Sequence, residues 1–271
     1  MSEFLINLQC FYLKIRYLLF KNILKKKDFS NRTLIYNEDF NSLNNFEIRD
    51  KEFYNDNPVW FSKDTVYLSN KGVHIRCYKD AKTHTSWQGT RDATHTSGMI
   101  TTRDTFVYPN GVWVVTAKPC NSWCAIWLLK RDRLEPNYNR TQITPEIDIL
   151  EILYKNHKVK HGIAYGYSDT KYCTNGIGSK GIVKCDNKFH EYAVEILNNG
   201  YKFYIDGILT TKLLIKNDKL IKTNSNNKCT LIKNPKDFVT QCPNYILLNN
   251  ASDQYTTENT EFVIKNIKLY E

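Results

Sequence analysis

The sequence predicts an all-β fold, a sandwich or jelly roll of antiparallel strands, behind an N-terminal helical arm. Its apolar residues favour Ile, Val, Tyr, Phe and Trp over Ala and Met, which is typical of strands. From Thr33 onward, short β-prone runs alternate with turns rich in Asn, Asp and Gly. The length of 271 residues allows one large β domain or two small ones. We assign residues 1–35 to the arm and residues 36–271 to the β domain.

The arm is predicted to be a basic amphipathic helix. Asn7, Lys14, Lys21 and Lys25 fall on one helical stripe, and the opposite side is apolar. Seven cations and two anions give residues 1–35 a charge of +5, half of the chain's +10. The apolar side consists of Leu8, Phe11, Ile15, Leu18, Leu19 and Ile23.

Three roles for the arm stay open. The helix either packs on its own domain or docks into a protein partner, and the sequence favours the two equally. A membrane surface is the least expected role. Charges interrupt the apolar run too often for a signal peptide or a membrane span. Without a secretion signal, we expect the chain to belong to a viral particle or to leave the cell by a non-classical route.

Three hairpins and a closing strand are predicted within the β domain. TVYLSN and KGVHIRCY form the first hairpin, and FVYPNGVWVVTAK contains the second, turning at Asn110-Gly111. HEYAVEIL and YKFYIDG form the third, turning at Asn199-Gly200, and FVIKNIKLY is the last strand. Residues 215–238 are rich in Lys and Asn and are predicted to form a long surface loop.

The stretch TPEIDILEIL, residues 144–153, places three acids in an apolar strand. Successive strand side chains point to opposite faces, so Glu146 and Asp148 share a face and Glu151 points away. One extra residue between Asp148 and Glu151, a β-bulge, brings all three acids to one side, and such bulges often lie beside active sites. An ordinary strand with acids on its solvated face is the alternative.

Charge and cysteine patterns exclude other classes of function. Outside the arm the chain is only mildly basic, which gives little support to nucleic-acid binding. The eight cysteines form no CxxC pair, and we find neither a zinc-finger pattern nor a P-loop. Scattered cysteines in a chain of this length more often act as small buried hydrophobic residues. We therefore predict no metal site and no cofactor.

Three segments together resemble glycoside hydrolase family 16. They are SGMITTRDTFVYPNGVWVVTAKPCNSWCAIWLL, then PEIDILEIL, then FHEYAVEILNNGYKFYIDG. The family's signature, Glu-x-Asp-x-x-Glu on a bulged strand, is matched by Glu146, Asp148 and Glu151. The resemblance implies a jelly roll of two curved antiparallel sheets and runs from about Tyr36 to Glu271. The arm lies outside it.

The resemblance also implies a reaction and a set of residue roles. Glu146 is expected to be the nucleophile and Glu151 the acid/base, while Asp148 tunes the nucleophile. Retaining glycosidases need two carboxyls about 5–5.5 Å apart, one to attack the anomeric carbon and one to protonate the leaving oxygen. The substrate implied is a β-linked polysaccharide, a β-glucan or a galactan, cleaved internally.

Two tryptophans are predicted to bind the substrate. Trp123 matches a family position near the cleft and is expected to be a flat platform for a sugar ring. Trp87 lies in HTSWQGTRDATHTSG, which we interpret as a loop that reaches over the cleft; a plain surface position is the alternative. The family usually places a calcium-binding Asp on its closing strand, where this chain has Lys265, so a calcium site is not expected.

A second function stays open beside hydrolysis. Jelly rolls also serve as lectin-like or structural modules, which bind carbohydrate without cleaving it. In that alternative, the arm would anchor a non-catalytic module to a larger assembly. The complete Glu-x-Asp-x-x-Glu signature favours the enzyme.

Overall fold

The chain folds into a β-sandwich with one helix packed at its edge. The computed structural model describes all residues except 1–2, 21–25, 55–56, 136–141, 154–157, 168–174, 180–182, 216–240, 253–255 and 257. The helix, α1, spans Glu3–Phe20, and short 3₁₀ helices span Lys63–Thr65 and Arg131–Leu134. The strands are β1 Leu34–Glu38, β2 Glu47–Ile48, β3 Glu52–Phe53, β4 Val59–Phe61, β5 Val66–Ser69, β6 Gly72–Ser86, β7 Gly89–Thr101, β8 Gly111–Lys118, β9 Trp123–Lys130, β10 Gln142–Leu153, β11 Lys158–Tyr167, β12 Asn175–Ser179, β13 His190–Leu197, β14 Gly200–Ile205, β15 Ile208–Leu214, β16 Asn244–Ala251 and β17 Thr260–Tyr270.

Two curved sheets make up the sandwich. The first has the order β15-β14-β13-β8-β17-β6-β5, with β1 also paired to β17. The second has the order β12-β11-β10-β9-β16-β7-β2. All these pairs are antiparallel, and β4 adds a parallel pair to β7. The long strands β6 and β7 pair with each other and connect the two sheets.

The core lies between the two sheets. Trp113 and Val115 of β8 enter it from the first sheet, and Ile126 and Leu128 of β9 enter it from the second. All four are fully buried, as alternation along each strand requires. The fold class predicted from composition and resemblance, a jelly roll of two curved antiparallel sheets, is therefore confirmed.

Helix α1 covers one open edge of the sandwich. It packs beside β15 and β12, which are the last strands of their two sheets. Leu13 and Tyr17 are the buried residues among the helix side chains that the structure describes, and Tyr17 belongs to the main core. Covering edge strands in this way keeps their unpaired backbone groups from pairing with other chains. The predicted arm is helical, but the face that packs is not the predicted apolar stripe.

Ion pairs hold the segment after α1 to the first sheet. Lys27 Nζ lies 3.0 Å from Glu195 Oε2, and Arg32 Nη2 donates to Glu195 Oε1 at 2.5 Å. Tyr204 also donates its hydroxyl to Glu195 at 2.8 Å. The Glu195 side chain is only 4% exposed. Burial would raise the pKa of Glu195, but the hydrogen bonds and the cations lower it to about 2.

Most predicted strands are confirmed, with corrections in three places. The first hairpin is β5–β6, the third is β13–β14, and β17 is the closing strand. The third hairpin turns at Asn198-Asn199, because Leu197 pairs with Gly200. The predicted hairpin at Asn110-Gly111 is wrong, because Tyr108 forms an isolated bridge to Asn244 of β16 instead of pairing with β8.

The predicted loop around Trp87 is also wrong. Its residues form the ends of β6 and β7, a long hairpin with Trp87 and Gln88 at its turn. The predicted surface loop at 215–238 lies almost wholly outside the described residues. None of the helices in the described part of the chain has the length and apolar character needed to span a bilayer.

The ion pairs at Glu195 predict a pH dependence of stability. A carboxylate whose pKa is depressed by folding stabilises the protein above its unfolded pKa and loses that contribution as the pH falls through the folded value. We therefore expect stability to fall between about pH 4.5 and pH 2. Glu195→Gln should lower the free energy of unfolding at pH 7 by roughly 2 kcal/mol and flatten this acid dependence. Urea unfolding at a series of pH values measures both.

Glu191→Gln is the matched control, because Glu191 lies on the same strand with an exposed side chain. An acid dependence that is identical in wild type and Glu195→Gln would show that Glu195 does not carry it.

Candidate active site

The three acids of β10 stand at an irregularity in strand pairing. On the β9 side, Asp148 pairs with Trp127 and Leu150 pairs with Ile126. Two residue steps on β10 therefore match one step on β9, which leaves Ile149 as the extra residue. The pairing with β11 shifts at the same place, between Asp148 and Glu151. The predicted β-bulge is thus confirmed.

The bulge changes which side chains of β10 enter the core. Ile147 and Ile149 are buried in it, and so are Leu150 and Ile152, whose parity is opposite. Two consecutive core residues, Ile149 and Leu150, place the following Glu151 on the other face. Glu146, Asp148 and Glu151 consequently share the face of the second sheet that points away from the core, which we call the outer face.

Both carboxylate oxygens of Glu151 are engaged. Trp123 Nε1 donates to Oε1 at 3.0 Å, and Lys160 Nζ donates to Oε2. Lys160 stands directly opposite Glu151 in the β10–β11 pairing, and its Nζ also lies 3.5 Å from Asp148 Oδ2. Burial alone would lower the pKa of Lys160, but the carboxylates of Asp148 and Glu151 raise it above its ordinary value. Lys160 is therefore a fixed cation between two of the three acids.

Asp148 is the most buried of the three acids, at 6% exposure. Burial raises its pKa well above the ordinary range; Lys160 opposes this effect, while Glu151 and Glu146 add to it. Asp148 therefore keeps its proton to a higher pH than an exposed aspartate. A protonated carboxyl can donate a hydrogen bond, which a carboxylate cannot.

Glu146 is the most exposed of the three acids, with 30% of its side chain accessible. Burial and the neighbouring Glu151 raise the pKa of Glu146 above its ordinary value, although Arg133 and Lys160 limit the rise. Arg133 belongs to the 3₁₀ helix after β9, and its Nη1 lies 3.8 Å from Glu146 Oε2. Glu146 is thus the acid most open to a bound molecule, and two cations oppose the effect of burial on its pKa.

A pocket of about 300 Å³ lies on the outer face; its lining includes Trp127, the strand partner of Asp148, but none of the three acids. Strand register places Thr101, Leu247, Trp127 and Asp148 in one row across β7, β16, β9 and β10. The first three of these residues line the pocket. Its full lining is Arg49, Glu52, Phe53, Tyr54, Phe61, Trp87, Gln88, Met99, Thr101, Arg103, Trp127, Leu134, Tyr245 and Leu247.

Tyr54 connects the pocket to the acids. It lines the pocket, and its ring meets that of Trp123 edge-on with centroids 5.6 Å apart. Burial raises the pKa of Tyr54, and the charges of Glu146, Glu151 and Asp148 raise it further. A ligand in the pocket therefore lies within the field of all three acids.

The two predicted sugar platforms occupy different environments. Trp123 is half-buried and tied to Glu151, so its indole lies among the acids. Trp87 is 79% exposed at the hairpin turn and lines the pocket rim. The structure also brings Trp127 into the pocket, fixed by a 2.7 Å hydrogen bond from its Nε1 to Asn249 Oδ1.

Three residues near the acids were missed by the sequence analysis. Lys160 reaches Glu151 only because of the β10–β11 register, and Arg133 reaches Glu146 from a 3₁₀ helix. Tyr54 lies almost a hundred residues before the acids. A lysine of the right parity on the strand after the acidic motif was a usable signal for Lys160. The sequence carried no comparable signal for Arg133 or Tyr54.

Comparison with known proteins gives a family match and close structural likenesses. The model of "Glycosyl hydrolases family 16" matches residues 53–231, more than half of the chain. No curated protein sequence matches the chain.

Several solved structures share the fold. The laminarinase catalytic domain from Thermotoga maritima MSB8 superposes with a TM-score of 0.64 at 18% identity, covering 89% of this chain and 99% of its own. The endo-β-1,3-glucanase from Pyrococcus furiosus gives 0.65 at 18% identity, with 92% and 98% covered. The laminarinase from Flavobacterium sp. UMI-01 gives 0.63 at 19% identity, with 88% and 100% covered. At these identities the likeness establishes the fold.

The closing strand generates a prediction about metal. Lys265 is exposed at a bulge of β17, between Ile264 and Asn266. Within the described residues, no group of three or more His, Cys, Asp or Glu side chains is arranged to hold a metal ion. We expect EDTA to leave the melting temperature unchanged, because a lysine at this position repels a cation. A large drop in melting temperature that calcium reverses would contradict this expectation.

Proposed function

This chain belongs to the glycosyl hydrolases of family 16, and we propose that it is an endo-acting, retaining glycosidase that hydrolyses a β-linked polysaccharide. The observation that carries the proposal is the bulge at Ile149, which presents Glu146, Asp148 and Glu151 on one face beside a pocket. Partly burying three carboxyls side by side costs free energy, which a catalytic role would explain. The substrate class is a β-glucan or a galactan.

We assign the attack on the anomeric carbon to Glu146. It is the most exposed acid, and Arg133 and Lys160 limit the rise in its pKa that burial causes, which helps a nucleophile to be ionised. The glycosyl–enzyme ester formed at Glu146 is then hydrolysed by water, which restores the configuration of the starting linkage. Asp148 keeps its proton to a higher pH and can donate a hydrogen bond toward the departing Glu146 carboxylate, which eases cleavage of the ester.

We assign the proton transfers to Glu151. As an acid it protonates the leaving oxygen, and as a base it activates the water that follows. Trp123 orients the carboxyl through its indole N–H, and the same ring presents a flat apolar surface to a sugar. Trp87 at the pocket rim is the proposed platform for a ring farther along the chain of sugars.

A glycan-binding module without turnover is the second candidate function. The contact that favours it is the hydrogen bond from Lys160 to Glu151, because Trp123 and Lys160 together occupy both carboxylate oxygens. For hydrolysis, one of these oxygens must be released to the leaving group. A module that only binds would keep both contacts throughout.

Substitution of the three acids distinguishes the two functions. Glu146→Gln should lower the rate of reducing-end release about a thousandfold or more, because no glycosyl ester can form. Glu151→Gln should lower it about 10²- to 10⁴-fold on polysaccharide, and much less on aryl glycosides whose leaving group needs no proton. Asp148→Asn should cost about tenfold, because it perturbs only the nucleophile's partner.

The assay uses a panel of β-glucans and galactans, and Glu191→Gln on the opposite sheet is the control. Affinity electrophoresis should show that Glu146→Gln still binds the polysaccharide. Tight binding by the wild type without product from any member of the panel would leave the binding module as the function.

The contact between Arg133 and Glu146 predicts a pH effect on catalysis. The nucleophile reacts only when ionised, and burial already raises the pKa of Glu146 while Arg133 lowers it. Arg133→Gln should therefore raise this pKa and move the acidic limb of the kcat/KM profile to higher pH. Arg131→Gln is the matched control, since Arg131 lies on the same 3₁₀ helix but faces Asp104 at 3.7 Å. An acidic limb that moves equally in both variants would remove Arg133 from this role.

A further inference from the structure

Helix α1 presents an apolar stripe to solvent on the side away from the domain. Each stripe residue has between 38% and 69% of its surface exposed. The spacing of three, one, three, three and one residues places them on one side of the helix, along roughly 17 Å of its axis. The stripe consists of Leu8, Phe11, Tyr12, Ile15, Leu18 and Leu19.

The domain does not use this stripe. Leu13 and Tyr17 are buried where the helix packs on the domain, and helix geometry puts them on the side opposite the stripe. The sequence left open whether the apolar side packs on its own domain or contacts a partner; in the structure these two residues are buried and the stripe stays exposed. Six large apolar side chains together exceed the scattered exposure that is ordinary for a surface, and such a patch marks a site of contact.

Basic positions flank the stripe on both sides. With about 3.6 residues per turn, position 14 lies about 40° beyond one edge of the stripe and position 16 about 40° beyond the other. Both positions carry cations, Lys14 and Arg16. Residues 1–35 as a whole carry a charge of +5. An apolar stripe bordered by cations is the pattern of helices that lie in the headgroup layer of an anionic bilayer.

We propose that α1 docks this chain onto an anionic lipid surface, with the stripe among the headgroups and acyl chains and the flanking cations on the phosphates. A second copy of the chain fits less well, because two arms of charge +5 repel each other. The location of α1 suits attachment to a lipid surface, because the helix lies at the sandwich edge formed by β12 and β15 and not on the outer face. The acids of β10 lie two strands in from that edge, so docking there leaves the outer face open to a polysaccharide.

Vesicle flotation of the 271-residue chain tests the proposal. The protein should float with vesicles of phosphatidylcholine and phosphatidylserine, bind vesicles of phosphatidylcholine alone much more weakly, and lose binding in high salt. Phe11→Glu and Leu19→Glu should each reduce the partition coefficient about tenfold or more, because each removes an apolar anchor and adds a repelled charge. Leu68→Glu, at an exposed leucine of β5, is the matched control and should not change it.

The helix variants should keep the wild-type melting temperature, since neither residue is buried. Their hydrolysis of soluble polysaccharide should equal that of the wild type, so a failure of this proposal is separable from a failure of the proposed glycosidase function. The proposal is overturned if the wild type floats with neither vesicle, as expected of a helix that docks into a protein. It is also overturned by a dimer that Leu19→Glu dissociates, because a second copy then covers the stripe.

Discussion

The arrangement of the site depends on one extra residue in β10. On a regular strand, Glu146 and Asp148 would face outward and Glu151 would enter the core, where an unpaired carboxylate is strongly disfavoured. The bulge at Ile149 puts two consecutive side chains, Ile149 and Leu150, into the core and returns Glu151 to the outer face. The apolar residues of β10 fix this register, because a shift by one position would expose them.

The second constraint is electrostatic. Three carboxylates close together on one face repel one another. Cations from two other elements offset this repulsion. Lys160 comes from β11 and contacts two of the acids, while Arg133 comes from the 3₁₀ helix and approaches the third. The result is an unequal set of pKa values: burial raises the pKa of Asp148 well above its ordinary range, whereas Arg133 and Lys160 limit the rise at Glu146. Catalysis by paired carboxyls requires such inequality.

The sequence predicted the parts of the fold that depend on local pattern. Alternating β-prone runs and turns located the β5–β6 and β13–β14 hairpins and the closing strand, and acid parity in TPEIDILEIL predicted the bulge. The prediction of local structure failed where contacts between segments distant in sequence determine it. The polar run around Trp87 forms a hairpin because β6 and β7 pair with each other there. The sequence left open whether α1 packs on its own domain, and in the structure Leu13 and Tyr17 are its buried residues. The parity of Lys160 on the strand after the acids was a usable signal, but only the β10–β11 register places it opposite Glu151.

The central claim is that Glu146 forms a covalent bond to the sugar during hydrolysis. The most direct measurement uses a 2-deoxy-2-fluoro glycoside of the sugar that the chain cleaves, since such compounds accumulate the glycosyl–enzyme ester. Mass spectrometry of the labelled protein should find one added sugar, and peptide mapping should assign it to Glu146. The sugar first released from a natural substrate should keep the β configuration in proton NMR spectra. A label on another residue, or release of the α anomer, would contradict the account.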